Sequence, residues 1–232
     1  MNPTPAEAAP VVSITPQDAR MLSLIGHRLI EWEHGVATRI VIGEQALASY
    51  TILPMEVMAV IATPADVSPS AVGRDPIVPL YSFIAGIDSG LEGGGDVSFN
   101  VDSLPEVSAP IQPGLSLQQL PPKDGWQMPI HGVASDVMPQ VNDAVHEFRQ
   151  RTQGVSPTAA SAIAEEIWSR PAWAGLPVRV LHAARRLRMI TDEPLRITAS
   201  TCGPWKRLAT PRGQLLVYTP GIEARLGLHV VR

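Results

Sequence analysis

Cysteine is nearly absent from this chain, because Cys202 is the one cysteine among 232 residues. A single cysteine cannot form an intrachain disulfide or supply the thiolates of a structural zinc site. The composition therefore excludes a disulfide-stabilised scaffold. It fits a reducing compartment, and we expect the protein to be cytoplasmic.

Aromatic residues and long apolar runs are also scarce. Aromatics make up 5% of the chain and hydrophobic residues 45%, so aliphatic side chains must fill most of the core. The longest apolar stretches, such as residues 57–62, are far shorter than the roughly 20 residues of a membrane-spanning helix. Residues 1–10 have neither the positive charge nor the apolar segment of a secretory signal. The sequence therefore predicts no membrane partner.

Motifs of catalysis and cofactor binding are missing as well. The glycine-rich residues 90–95 lack the Lys-Ser/Thr ending of a phosphate-binding loop, and His146-Glu147 has no second histidine at metalloprotease spacing. No Gly-x-Ser-x-Gly nucleophile motif occurs. The sequence thus favours a protein that is not an enzyme, and it predicts no catalytic residue, no cofactor and no metal site.

Charge is distributed very unequally along the chain. Residues 1–150 carry 6 Arg/Lys and 17 Asp/Glu, a net charge of −11, whereas residues 151–232 carry 12 and 5, a net charge of +7. A basic segment indicates an anionic partner. That partner is either nucleic acid or the acidic half of the same protein.

The N-terminal part predicts an acidic α+β region over residues 14–90, after a Pro/Ala-rich tail (1–13) that we expect to be disordered. Thr15 is a favourable N-cap, Pro16 suits the first helical position and Gly35 is the expected helix end. Apolar residues recur on one face of this helix, namely Leu22, Ile25, Leu29 and Trp32. Three strand-like runs follow, over residues 37–42, 46–53 and 56–63, and the short breaks between them predict an antiparallel meander. One more helix is predicted from about residue 80 to 90.

The remaining sequence predicts a Pro/Gly-rich connection over 91–125, with one short strand near 97–101, and a basic helical part over 126–232. Within the basic part, Ser135 or Asp136 is the expected cap of the first helix, and Ser156-Pro157 opens the second. A third helix and a C-terminal β-hairpin follow, with the helix over residues 177–190 and strands over 195–201, 205–209 and 214–219.

Three helices followed by a hairpin is the element order of a winged-helix domain, in which the third helix enters the major groove of DNA and the hairpin reaches its backbone. At 100° per residue, the third helix places its apolar residues on one face and Arg179, His182 and Arg186 on the other. The hairpin adds further cations. The six residues that we expect to contact an anion are Arg179, His182, Arg186, Lys206, Arg207 and Arg212.

The first functional hypothesis is therefore a non-enzymatic binding protein whose basic C-terminal face contacts an anionic macromolecule, with DNA favoured. The alternative is an interaction or scaffold protein, or a homodimer, in which the acidic and basic halves dock on each other. A third possibility is an enzyme or a binder of small anionic ligands, held by arginines and helix N-termini.

Three segments resemble blocks of a family of uncharacterised proteins from GC-rich bacteria, and the resemblance covers about the last half of the chain. The segments are LPPKDGW (residues 120–126), NDAVHEF (142–148) and GPWKRLATPRG (203–213). The resemblance implies a cytoplasmic protein and carries no known activity, cofactor or catalytic residue.

Overall fold

The computed structural model describes residues 9–108 and 115–219, which form a mixed helix-and-sheet structure. The α+β prediction is therefore confirmed. The chain divides into two compact units, each described here by itself: unit 1 (Met1–Pro54 and Ala59–Gln112) and unit 2 (Met55–Met58 and Pro113–Arg232).

Unit 1 contains two antiparallel groups of strands and two helices. Its strands are β1 (Val11–Ile14), β2 (Ala37–Ile42), β3 (Ala46–Leu53), β4 (Val57–Pro64, in this unit from Ala59 on), β5 (Asp66–Val67), β6 (Ile77–Pro79) and β7 (Val97–Asn100). The spatial orders are β5-β1-β7 and β6-β2-β3-β4. Strands β2, β3 and β4 lie within a residue or two of the three expected runs and are neighbours in that order.

Helices α1 (Pro16–Trp32) and α2 (Leu80–Glu92) of unit 1 pack closely on each other. The Thr15 hydroxyl caps α1 by accepting a hydrogen bond from the amide of Asp18 at 3.2 Å, as the sequence predicts. Gly26 permits the close approach, since a Cβ there would lie 2.2 Å from Cδ1 of Ile84. The helix ends at Trp32 with Glu33 as its C-cap, before the expected Gly35.

The expected disordered tail needs correction at residues 11–13. Val11–Ile14 form β1, which pairs with β7 and buries Val12 and Ile14. The alternation of buried and more exposed residues in Val11–Ile14 is short, and it lies next to Pro/Ala-rich sequence. Its partner strand, β7, lies far along the chain, so local sequence did not indicate the pairing. Residues 1–8 of the tail are outside the described residues.

The expected connection over 91–125 is in part ordered structure. Helix α2 continues to Glu92, and β7 and a 3₁₀ turn (Val101–Ser103) follow within unit 1. In unit 2, Leu115 and Leu117 are buried. Residues 109–114 of this segment, and 220–232 of the basic part, are outside the described residues.

Unit 2 combines an antiparallel sheet with three helices. Its strands are β8 (Gln127–Val133), β9 (Arg196–Cys202), β10 (Trp205–Thr210) and β11 (Gly213–Tyr218), in the order β11-β10-β9-β8. Its helices are α3 (Ala134–Arg151), α4 (Pro157–Ser169) and α5 (Val178–Arg186). Helix α5 packs against α3, α4 and β11. Ser156 caps α4 as expected, whereas α3 begins at Ala134, directly after β8 and before both expected caps.

The winged-helix interpretation is wrong for unit 2. The predicted wing, β10–β11, belongs to the sheet, because β10 pairs along its length with both β9 and β11. Leu208, Leu215, Leu216 and Val217 of this hairpin are buried, so the hairpin forms part of the core. The sequence showed no sign of β8, since its Pro129 and Gly132 interrupt any apolar alternation.

Candidate arginine-lined cleft

The end of α5, the segment that follows it and the adjoining side of α3 form a cleft of about 480 Å³. Its lining residues, which we call the arginine cleft, are Met138, Val145, Arg149, His182, Arg185, Arg186, Arg188, Ile190, Thr191 and Asp192. Four of the ten are arginines, whereas one is a carboxylate. The cleft is therefore strongly positive.

The C-terminus of α5 directs the chain around this cleft through a Schellman motif. The amide of Arg188 donates to the carbonyl of Arg185 at 2.9 Å, and that of Met189 donates to the carbonyl of Ala184 at 2.8 Å. Arg188 occupies the left-handed position of the motif with φ = 55°, where glycine is the usual residue. Met189 and Ile190 are then buried.

Three cleft arginines have no carboxylate partner within the described parts of the chain. The ion pairs of residues 9–108 and 115–219 include neither Arg149, Arg185 nor Arg188. Arg149, Arg186 and Arg188 are exposed, and Arg185 is half-buried. A guanidinium group can bind a phosphate in bidentate fashion.

His182 lies in the cleft but does not contribute charge at neutral pH. Its ring stacks on Trp168 of α4 at a centroid distance of 4.6 Å. Burial, and then the neighbouring charges of Arg186 and Arg185, lower the pKa of His182 to about 4. The imidazole therefore adds uncharged aromatic surface, rather than the cation that the sequence suggested.

Lys206 and Arg207 are adjacent on β10 and so point to opposite faces of the sheet. The Lys206 ammonium donates to the carbonyl of Gly175 at 2.7 Å. The Arg207 Nε donates to the Ser200 hydroxyl at 3.0 Å, and its guanidinium lies 4.1 Å from the centroid of the Trp126 ring. Burial lowers the pKa of Arg207. Both cations are thus engaged within unit 2.

Arg212 and Arg179 are the remaining residues of the predicted set. Arg212 donates to the carbonyl of Arg188 at 2.6 Å and lies 3.7 Å from the Glu193 carboxylate. It does not line the cleft, but it holds the backbone of Arg188, which does. Arg179 is half-buried at the start of α5, and its Nε has no hydrogen-bond partner among the described residues.

Of the six predicted residues, the structure therefore gathers His182 and Arg186 in one cleft, with Arg212 beside them. Their part in binding stays a prediction. Arg149, Arg185 and Arg188 were not in the predicted set. Arg185 and Arg188 flank the apolar stripe of the third helix in sequence, but nothing in the sequence relates Arg149 to that helix.

A second group of arginines in unit 2 is fully paired. Arg151 contacts Glu147 at 2.9 Å and Glu166 at 2.7 Å, and Arg170 contacts the same carboxylates at 2.6 and 2.5 Å. Hydrogen bonds from Arg151 and then Arg170 lower the pKa of Glu166 to about 2. We call these four residues the ion-pair network of α3 and α4. Its charges cancel.

Residues 9–108 and 115–219 contain no group of three or more His, Cys, Asp or Glu residues arranged to hold a metal ion. None of their helices combines the length and the apolar character that crossing a membrane requires.

Sequence comparison identifies one family profile, a domain of unknown function (DUF8185), over residues 121–222. This match supports the resemblance to an uncharacterised family in the C-terminal half, whereas the bacterial group and the compartment stay predictions. A search of curated proteins finds no match.

Solved structures similar to this chain include bacterial sliding clamps. The β sliding clamp of C. crescentus is 11% identical with a TM-score of 0.55, over 94% of this chain and 68% of the clamp. The β subunit of DNA polymerase from Streptococcus pyogenes is 10% identical with a TM-score of 0.52, over 93% and 67%. At such identities the likeness concerns the fold alone. The chain thus has a sliding-clamp-like fold rather than a winged-helix one.

Proposed function

We propose that this protein is a non-enzymatic binding protein whose arginine cleft contacts an anionic macromolecule, with DNA as the favoured partner. One observation carries the proposal: four arginines line one cleft with a single carboxylate, Asp192. An open cluster of fixed positive charges attracts polyanions and gains free energy by releasing their counterions.

The fold supports DNA over other polyanions. Similar structures include a DNA polymerase sliding clamp and the β subunit of a DNA polymerase, and the positive cleft supplies what a phosphate backbone requires. If each of the four arginines neutralises one phosphate, the logarithm of the affinity should fall with the logarithm of the salt concentration with a slope of about −3 to −4.

Fluorescence anisotropy with labelled duplex DNA at low and at physiological salt tests the proposal. We expect binding that weakens steeply with salt and that the variant R185Q/R186Q largely loses. The matched control is R20Q, since Arg20 is an exposed arginine on α1 of unit 1. Absence of binding by the intact chain at low salt would refute the proposal.

A second candidate function, protein interaction or self-association, rests on strand β8. It ends the sheet of unit 2 and pairs with β9 alone within the described residues. Met128 and Ile130 on this strand are 74% and 44% exposed. An edge strand with unpaired backbone groups and exposed apolar side chains can add a strand from another chain. The acidic and basic halves of two copies would favour such an association.

Sedimentation velocity at two ionic strengths tests this candidate. We expect association that weakens with salt and that I130K abolishes, whereas V107K, at an exposed valine of unit 1, leaves it intact. A monomer at both ionic strengths would exclude it.

A further inference from the structure

The arginine cleft is chemically divided between a charged mouth and an apolar floor. Arg149, Arg186 and Arg188 are exposed. In contrast, Met138 and Ile190 are 5% and 1% exposed and lie deeper in the same lining. A ligand that fits this division carries negative charge at one end and a flat or apolar group at the other.

The size of the cleft narrows the class of ligand. Its volume of about 480 Å³ is within the range of roughly 300–1,000 Å³ typical of sites that enclose a small molecule. Bases inside a duplex expose only their edges in the grooves, whereas an unpaired nucleotide exposes the whole face of its base. An apolar floor can therefore pack against the base of an unpaired nucleotide, whereas it cannot pack against the face of a base inside a duplex.

His182 adds an aromatic ring to the lining of this site, and Trp168 supports that ring from the core. Their stacked rings are 4.6 Å apart, and Trp168 is 8% exposed, so the pair is held by the core between α4 and α5. The neutral imidazole lines the cleft. Aromatic faces bind nucleobases with little dependence on sequence.

Arg188 is held at the mouth in a costly backbone conformation. Side chains other than glycine are sterically strained in the left-handed conformation, yet an arginine occupies this position. The bond from Arg212 to the Arg188 carbonyl, at 2.6 Å, fixes the turn. A strained residue with a charged side chain at a cleft mouth is a functional candidate.

We propose that the arginine cleft is a nucleotide site: the arginines bind the phosphates, and the base of an unpaired nucleotide lies against the floor of Met138, Val145 and Ile190. The inference deepens the proposed function, on which its choice of a nucleic-acid anion rests. The nucleotide can belong to a single strand of DNA or be free, because both present the same phosphate and base.

Anisotropy with a labelled single strand and with its duplex, at equal salt, tests this inference. We expect the single strand to bind about tenfold or more tightly, from one or two bases on the floor. The variant V145T changes one methyl of the lining to a hydroxyl at nearly constant shape, and it should reduce this preference for the single strand. R20Q should change neither affinity.

Competition experiments on the unmodified protein show whether the bound nucleotide is free or part of a single strand. Their result does not depend on the correct folding of a variant. ATP should displace the single strand at lower concentration than inorganic tripolyphosphate does, since only ATP has a base. Displacement by ATP at micromolar rather than millimolar concentration would indicate a free nucleotide as the ligand.

The outcomes separate the two claims. Equal affinity for single strand and duplex, with ATP and tripolyphosphate equally effective, would overturn the nucleotide site and leave the proposed DNA contact standing. If neither duplex nor single-stranded DNA binds, the proposed function is overturned. If ATP also fails to bind, the nucleotide site is overturned as well.

Discussion

Two groups of arginines in unit 2 meet opposite electrostatic surroundings. In the ion-pair network, Arg151 and Arg170 each contact both Glu147 and Glu166. In the arginine cleft, Arg149, Arg185, Arg186 and Arg188 share the lining with Asp192. The difference shows that the presence of arginines alone does not locate a binding surface, because nearby carboxylates decide whether their charge is cancelled.

Helix α3 supplies residues to both groups, and its geometry explains the separation. Arg149 and Arg151 are two positions apart, which turns their side chains by about 200° around the helix axis. Arg151 therefore faces α4 and its carboxylate, Glu166, whereas Arg149 faces the cleft. Packing of the three helices decides which arginines are neutralised.

The largest expected effect is on DNA binding. R185Q/R186Q should weaken binding about 100-fold at low salt, because each lost charge-assisted hydrogen bond contributes about 1.5 kcal/mol or more. R151Q should change affinity less than about twofold, since its charge is already cancelled by Glu147 and Glu166. Anisotropy titrations measure both. Equal losses of DNA affinity in the two variants would contradict the assignment of DNA binding to the arginine cleft rather than to the ion-pair network.

The next effect is on stability at acidic pH. The pKa of His182 is about 4 in the folded chain against 6.5 for an ordinary histidine, so the unfolded chain takes up a proton first as the pH falls. The free energy of unfolding should drop by about 2–3 kcal/mol from this group between pH 6.5 and 4. H182F keeps the ring on Trp168 and should lack this part of the decline.

Urea unfolding of both proteins at several pH values provides the measurement for His182. H131F is the control, because His131 is an exposed residue on the edge strand β8. The same pH dependence in H182F and in the unmodified chain would contradict the assignment.

A smaller effect concerns the strained turn at the cleft. R188G should raise the free energy of unfolding by about 0.5–1 kcal/mol, because glycine adopts φ = 55° without steric cost. The same variant should weaken DNA binding, since it removes a cleft charge. R188A also removes the charge but keeps the left-handed strain, so we expect it to have a lower Tm than R188G. A higher Tm for R188A than for R188G would contradict the prediction.

The smallest effect is expected in the ion-pair network. The pKa of Glu166, lowered to about 2 by Arg151 and Arg170, means that its stabilisation is present above pH 4.5 and is lost as the pH falls toward 2. E166Q should therefore lower Tm slightly at neutral pH, and the difference from the unmodified chain should vanish near pH 2. High salt should also reduce it, because the pairs are exposed.

Local patterns predicted most of the elements correctly. The Thr15 cap, the Ser156 cap and the short breaks of the meander act over a few residues, so they can be interpreted without knowing the tertiary structure. Strand β8 was missed because its stability comes from pairing with β9, some seventy residues later. The fate of Arg207 was missed for the same reason, since Trp126 and Ser200 reach it from other segments.

The sequence by itself determined the α+β composition, the Thr15 and Ser156 caps and the basic character of the C-terminal part. These depend on side-chain periodicity and on residue counts. The tertiary structure alone decided that the hairpin joins a sheet, that His182 is uncharged at neutral pH and that Arg149 joins the arginines of α5. Each of these depends on which distant groups lie within a few ångströms, because burial and ion pairing act through space rather than along the chain.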